Sequence, residues 1–336
     1  MGSPVALSIV LPFRDAATTL DEAIESVLAE RGPPFELLAI DDGSTDEGAR
    51  IVEGWASRDR RVRLIRAAGS GLVSALSTGV AHARAAFIGR MDADDVSLPG
   101  RFAAQLLTLD RDPSLAAVGG VVEIFGDEGH ALGLRRYVAW QNSVKSAADH
   151  ARAIFIESPL CHPSVTMRAS AITRVGGYRA FAGPEDYDLF LRFDEAGLRL
   201  AKIDRPALRW RHHARRATFR DPRYALERVR DVKASHLLRR LRALGRPIVV
   251  WGAGPTGKRL VRAMEPHGIV FDRFVDIDPD KLARLARGHV IDSICSLRRG
   301  QETVLVAVGA RGARDNVRAA LDALGWCEGA DYLCGA

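Results

Sequence analysis

The chain is poor in cysteine, and what it has is not spaced for chemistry. Its four cysteines, Cys161, Cys295, Cys327 and Cys334, form no CxxC pair, so neither a zinc site nor a disulfide framework is suggested. Long apolar runs are also missing. The best stretch, around Leu115 to Phe125, is short and carries Glu123, well under the about 18 apolar residues of a membrane-spanning helix. Met1 to Ala6 has no basic leader region, and Arg14 and Asp15 interrupt the apolar residues that follow, so the start does not read as a secretory signal. The expectation from these absences is a cytoplasmic protein in a reducing compartment.

What is present describes an ordinary globular chain: 336 residues, 47% hydrophobic and 27% charged. That length accommodates two domains of roughly 150 residues each. The net charge of +6 is uneven, with fourteen Lys and Arg between Arg205 and Arg246, beginning Arg205, Arg209, Arg211, Arg215 and Arg216. Aromatics are not interleaved with them, which argues against nucleic acid as a partner. A solvated helix face, an anionic membrane surface and a phosphorylated substrate remain as readings.

Strand and helix patterns alternate through the first part of the chain. Val5 to Leu11 is an apolar strand stopped by Pro12. Thr18 or Thr19 can cap a helix carrying Leu20, Ala23, Ile24, Val27 and Leu28. Phe35 to Ile40 is a second strand, Ala49 to Trp55 a helix and Arg61 to Arg66 a third strand. Leu72 to Ala85 forms a helix and Ala86 to Met91 a fourth strand. Such alternation implies an α/β doubly wound, mostly parallel sheet with helices on both faces. Ligands of such sheets bind beyond the carboxyl ends of the strands.

Two acidic clusters fall at those ends. One is Asp41-Asp42, the other Asp92-Ala93-Asp94-Asp95. Carboxylates crowded at the end of a buried strand raise one another's pKa and lose hydration. A hard divalent ion such as Mg²⁺ or Mn²⁺ relieves both, binding carboxylate oxygens together with substrate phosphates. A solvated Asp-rich turn is the bland alternative. Further on, Gly183-Pro184-Glu185-Asp186 opens a helix, with proline and acids in its first turn.

From Asp221 to Leu244, the positions Leu226, Val229, Lys233, Leu237, Leu241 and Leu244 follow a helical spacing, and arginines fill the rest of the circumference. This predicts a basic amphipathic helix, suited to packing on the first block, to peripheral contact with a membrane surface, or to both. A second α/β block starts at Pro247. Gly252, Gly254 and Gly257 follow the strand Ile248 to Trp251 and precede a helix, and Asp276 ends the next strand. That context fits a dinucleotide-binding fingerprint, with phosphates at the helix N-terminus. Packing with an empty loop fits equally. About 90 residues supply half of a full dinucleotide fold, and no hydride-transfer pair is evident.

Taken in order, several motifs resemble those of family 2 glycosyltransferases with the GT-A fold. They are Leu11-Pro12-Phe13, Asp41-Asp42-Gly43-Ser44-Thr45-Asp46, Gly71-Leu72, Asp92-Ala93-Asp94-Asp95 and His162-Pro163-Ser164. Gly176-Gly177-Tyr178, Glu185-Asp186-Tyr187-Asp188-Leu189 and Arg211-His212-His213 complete the set. The resemblance spans roughly residues 5 to 220. It implies a nucleotide-diphosphate sugar as donor, a UDP-sugar above others, and a hydroxyl acceptor in polysaccharide, lipopolysaccharide or glycolipid assembly. Asp42 or Asp41 would accept a hydrogen bond from the base and Pro12 would shape the pocket wall. Asp92 would reach the ribose or base, and Asp94 the metal. His213 would complete the metal or diphosphate site, with His212 beside it as the other candidate. Asp186 would be the general base of an inverting transfer and Glu185 its orienting partner. Arg14-Asp15 and Ser77 depart from the family's usual asparagines, on what would be the nucleotide side.

The second block resembles small Rossmann-like domains found beside sugar-modifying enzymes. The expected organisation is therefore a transferase domain over residues 1–220, a basic helical linker over 221–245 and a Rossmann-like domain over 246–336. Two other classes stay open: an NAD(P)- or nucleotide-sugar-dependent enzyme centred on Gly252 to Gly257, and a non-catalytic sugar-nucleotide scaffold.

Overall fold

The structure, a computed structural model, describes residues 5–126, 132–213, 216 and 220–336. Arg215 of the basic segment lies outside the described residues. The chain divides into two compact units, Met1–His150 with Pro159–Asp221 and Ala151–Ser158 with Pro222–Ala336.

In the first unit the strands are β1 (Leu7–Phe13), β2 (Phe35–Asp41), β3 (Val62–Arg66), β4 (Phe87–Arg90), β5 (Val96–Ser97), β6 (Leu115–Gly126), β7 (Thr166–Arg168) and β8 (Arg199–His212). They form one sheet in the order β3-β2-β1-β4-β7-β6-β8-β5. β3, β2, β1 and β4 run parallel. β7 is antiparallel to both β4 and β6, whereas β6 and β8 are again parallel. Every residue of β1 and β2 is buried, as continuous apolar strands covered on both faces should be. Because β1 lies between β2 and β4, both acidic clusters emerge at the same carboxyl edge, on either side of it.

The helices of this part are α1 (Leu20–Leu28), α2 (Gly48–Arg58), α3 (Leu72–His82), α4 (Arg101–Arg111), α5 (Leu132–Ser143), α6 (Ala147–Ala153), α7 (Ala169–Arg174) and α8 (Glu185–Glu195). Thr19 precedes α1 without capping it. Its hydroxyl donates instead to the Ala93 carbonyl at 2.8 Å, which ties this helix start to the acidic loop. α4 presents a polar face inward. Arg101 donates to the carbonyls of Arg90 (2.7 Å) and Pro163 (2.6 Å), and Gln105 to those of Val118 (3.0 Å) and Ser164 (2.7 Å). A fully buried polar face is stable only when satisfied, and here it stitches the end of β4 to the 161–164 turn.

The second unit carries β9 (Ile248–Trp251), β10 (Arg273–Asp276), β11 (Leu285–Ala286), β12 (His289–Ser293), β13 (Thr303–Val306) and β14 (Tyr332–Cys334), in the order β11-β12-β10-β9-β13-β14. β12, β10, β9, β13 and β14 pair parallel. In chain order these five read 3-2-1-4-5 across the sheet, the order of a doubly wound nucleotide-binding fold.

Its helices are α9 (Leu226–Ala243), α10 (Pro255–Met264) and α11 (Ala313–Ala323). α9 is the expected basic helix, but its apolar face is used in this unit's packing and not, as expected, in that of the first block. Val232, Ala234, Leu237, Leu238 and Leu241 are buried, with Leu237 and Leu260 of α10 meeting beside Gly335. Leu226, expected on the inward face, is instead exposed. Lys233 is inward and buried, donating to the Ile156 carbonyl at 2.8 Å, and burial lowers its pKa to about 8. The apolar face is thus spent within the unit. Among the described residues no helix is long and apolar enough to cross a membrane.

Candidate active site

Asp41 and Asp42 are positioned by turns that their own sequence dictates. Asp41 ends β2, and its carboxylate accepts the Ser44 amide at 2.8 Å, closing the Asp-Gly-Ser turn. Asp42 accepts the Gly71 amide at 3.2 Å. Gly71 has φ +97°, where a side chain would be strained, so the Gly-Leu start of α3 is what brings that amide to Asp42. Pro12 lies in β1 opposite Ile40. Asp15 accepts both the amide and the hydroxyl of Thr45 (2.7 and 3.1 Å), and Asp46 accepts the Ala17 amide. The departure at Arg14-Asp15 therefore clasps the loops after β1 and β2 together. Ser77 is exposed on α3 and bonded to its own helix at the Val73 carbonyl.

Asp92, Asp94 and Asp95 place ligand oxygens within 4.8 Å of one another. Their surroundings differ. Asp92 pairs with the buried Arg90 at 2.6 Å. Burial would push its carboxyl up, but Arg90 and Arg216 outweigh that and hold its pKa below the usual value. Asp95 is fully buried and accepts the Arg211 amide at 2.8 Å. Burial, with Asp92 and Asp94 beside it, raises its pKa well above normal against the pull of Arg216. Its Oδ2 is buried with no hydrogen-bond partner. Asp94 faces His213, with Nε2 2.9 Å from its Oδ2. His212 points elsewhere, its ring edge-on to Trp210 at 5.3 Å. Of the two histidines it is His213 that reaches the acidic cluster.

Opposite, Glu185 and Asp186 open α8 behind Pro184. Glu185 is buried and Asp186 half-buried. Burial, then the neighbouring Glu185, raises Asp186 to a pKa of about 7, a suitable strength for a base near neutrality. Arg90 acts electrostatically on Asp92, on Glu185 and on Asp186, so the two halves share one charged neighbourhood. The Gly-Gly-Tyr motif has a local reason: Gly176 and Gly177 take φ +82° and +70°, turning Tyr178 so that its hydroxyl meets His162 Nε2 at 2.8 Å. Burial, then Arg90, lowers His162 well below its ordinary pKa, leaving it neutral.

In the second unit the glycines are explained largely by packing. A Cβ on Gly252 would lie 2.6 Å from the Ala307 carbonyl oxygen, and one on Gly257 1.9 Å from that of Gly252. Gly254, the N-cap of α10, has open space. Asp276 accepts the Ala253 and Asp278 amides and the Lys281 ammonium at 3.0–3.2 Å. Burial opposes, but these donors hold its pKa low. Both its oxygens are already engaged.

Sequence reasoning passed over Arg90 and treated Arg216 only as part of a basic run. The signal for Arg90 was available: an arginine inside an apolar strand, two residues before an aspartate. Nothing in the sequence marks Arg216, whose role depends on where the chain after β8 runs.

With the geometry in place, comparison with known proteins is informative. Residues 8–176 match the family model described as glycosyl transferase family 2. The chain is 33% identical over 204 residues to the putative glycosyltransferase EpsE of Bacillus subtilis (strain 168), covering 59% of this chain and 70% of that protein. It is 26% identical over 196 residues to the amylovoran biosynthesis glycosyltransferase AmsE of Erwinia amylovora, covering 58% and 71%. The crystal structure of S. aureus TarS 1-349 in complex with UDP-GlcNAc superposes with a TM-score of 0.53 at 15% identity, over 70% of this chain and 67% of that one. For TarS 1-349 alone the share of that chain is 66%, just under two thirds of its length. The likeness to TarS is one of fold. With the family model spanning half the chain and containing both acidic clusters, the conclusion is that this protein belongs to glycosyl transferase family 2 and is a glycosyltransferase.

Proposed function

We propose that the protein transfers a sugar, with inversion at the anomeric carbon, from a UDP-sugar to a hydroxyl of a saccharide or lipid-linked saccharide in cell-surface polysaccharide or glycolipid assembly. The observation that carries this reading is the single sheet edge that gathers Asp42, Asp92 and Asp94, with a base of pKa about 7 at Asp186 under the same arginine. EpsE, AmsE and the UDP-GlcNAc complex of TarS are consistent with it.

In this reading Asp42, or Asp41, accepts from the base and Pro12 forms the wall of its pocket, while Asp92 accepts from the ribose. The residues fit a divalent metal. They offer hard carboxylate oxygens within 4.8 Å and an orphaned buried oxygen on Asp95, a donor set suited to Mn²⁺ or Mg²⁺. Asp94 and His213 would hold it. When bound, such an ion neutralises charge developing on the leaving diphosphate. Asp186, ionised above about pH 7, takes the proton of the acceptor hydroxyl, and Glu185 keeps its carboxylate oriented. The acceptor oxygen forms its bond to the anomeric carbon as the bond to the diphosphate oxygen breaks, and the electron pair leaves with UDP.

Transfer is assigned to residues 1–220. A weaker nucleotide contact is assigned to the Gly252–Gly257 loop of residues 246–336, through the open backbone at Gly254 rather than through Asp276. Exposed Arg228, Arg239 and Arg240 of α9 offer electrostatic contact with an anionic membrane surface.

The test is UDP release from a panel of UDP-sugars with Mn²⁺, and the anomeric configuration of the product by NMR. Turnover should collapse in folded Asp94→Ala and Asp186→Ala variants. Full activity in both, or a retained configuration, would sink the proposal.

A further inference from the structure

Three carboxylates with oxygens within 4.8 Å of one another need countercharge even before a substrate arrives. Two guanidiniums supply it, in different ways. Arg90 is buried and makes a close pair with Asp92 Oδ1 at 2.6 Å, which is a fixed part of the strand end. Arg216 instead straddles two acids. Its Nη2 lies 3.6 Å from Asp92 Oδ2 and its Nη1 3.5 Å from Asp95 Oδ1. Those separations are within ion-pair range and too long for good charge-assisted hydrogen bonds. What fixes the group is its other side: it lies over the Trp210 ring at 4.8 Å and donates to the Arg211 carbonyl. Arg216 is therefore held as a bridging cation between Asp92 and Asp95. Asp94 pairs instead with His213 and has no guanidinium in close ion-pair contact among the described residues, although Arg216 acts on it electrostatically as well.

A divalent ion held by Asp94 would share this acidic cluster with the Arg216 guanidinium, and like charges in one partly buried site repel. The balance reverses once a diphosphate brings its own negative charge. We propose that Arg216 is a built-in counter-cation that competes with the divalent ion, so that the ion is taken up with the nucleotide diphosphate rather than ahead of it. The inference rests on the metal reading of this site.

Mn²⁺ binding is measured directly, by the electron paramagnetic resonance signal of the free ion, on the full chain with and without UDP. Wild type should bind Mn²⁺ at least tenfold more tightly when UDP is present. Arg216→Gln should bind Mn²⁺ alone at least tenfold more tightly than wild type and lose most of the UDP enhancement, while Arg216→Lys stays close to wild type. Wild-type affinity that is the same with and without UDP overturns the inference, with no variant needed. So does an Arg216→Gln protein that binds Mn²⁺ alone within twofold of wild type; in both cases the metal reading survives. Failure of wild type to bind Mn²⁺ even with UDP overturns the metal reading and the inference with it.

Discussion

The two sheets end in comparable ways. Each has parallel strands delivering a glycine turn, a helix N-terminus and an aspartate to a carboxyl edge, where the α/β architecture places ligands. The electrostatics differ. In the second unit Asp276 is surrounded by its own donors, the Ala253 and Asp278 amides and Lys281, and its pKa is held low. In the first, Asp95 keeps an unpartnered buried oxygen, Asp186 is pushed up to about 7, and two arginines are needed to hold three aspartates. One edge is a finished structure. The other keeps a buried unpartnered oxygen and acids with perturbed pKa values, the pattern by which functional sites are recognised.

The sharpest way to break that comparison is to remove equivalent acids. Asp94→Ala and Asp186→Asn should each lower transfer by about 10³-fold, the range expected for loss of a metal ligand or a positioned base. Asp276→Asn should leave transfer within about twofold while costing about 1–2 kcal/mol of stability, because a buried acceptor of three N–H donors is weakened. Kinetics and thermal melts on the three variants check this. Loss of transfer in Asp276→Asn with the fold intact would erase the distinction.

Asp186 also predicts a pH effect of defined sign. Its folded pKa of about 7 lies above the ordinary 3.8, so the unfolded chain releases this proton first. The stability it contributes is full below about pH 4 and is lost as pH rises through about 7. Activity moves the other way, rising through about pH 7 as the base ionises. The difference between 3.8 and about 7 corresponds to at most about 4 kcal/mol. Asp186 keeps an edge toward solvent and shares its shift with Glu185, so about 2 kcal/mol is expected. Asp186→Asn should therefore be more stable than wild type at pH 8 by about that amount, and no more stable at pH 4. Denaturant melts at the two pH values measure it.

How much of this was legible beforehand varies with the kind of residue. The mostly parallel α/β sheet and the common carboxyl edge of both acidic clusters followed from strand and helix periods, whereas the strand order β3-β2-β1-β4 is a finding of the structure. The helix at Glu185 was equally plain. Three things were not. His212 ends β8 and His213 follows it, and which of two adjacent histidines turns toward Asp94 is not something their sequence reveals. Arg90 carried a signal, an arginine in an apolar strand two residues before an aspartate, but a lone arginine in a strand is also read as an edge position until its partner is located. α9 was expected as a linker since its arginines dominate the pattern. The structure buries Lys233 and five apolar residues of it against α10 and the second sheet, a tertiary preference stronger than the local charge.

The smallest effects separate packing from function within the glycine loop. Gly257→Ala places a Cβ 1.9 Å from a carbonyl oxygen, and the backbone shift needed should cost about 3 kcal/mol. Gly254→Ala meets nothing within 4 Å at φ −78°, so no clash arises and only the loss of a preferred N-cap residue is expected, about 0.5–1 kcal/mol. Transfer should stay within twofold in both, provided Gly257→Ala is assayed below its melting temperature. The Gly254 variant is the informative one, because a methyl there clashes with nothing and costs far less than one at Gly257, yet occupies the space through which a phosphate would approach α10. A fall in transfer in Gly254→Ala, with the fold intact, would mean that nucleotide bound at the second edge takes part in the reaction.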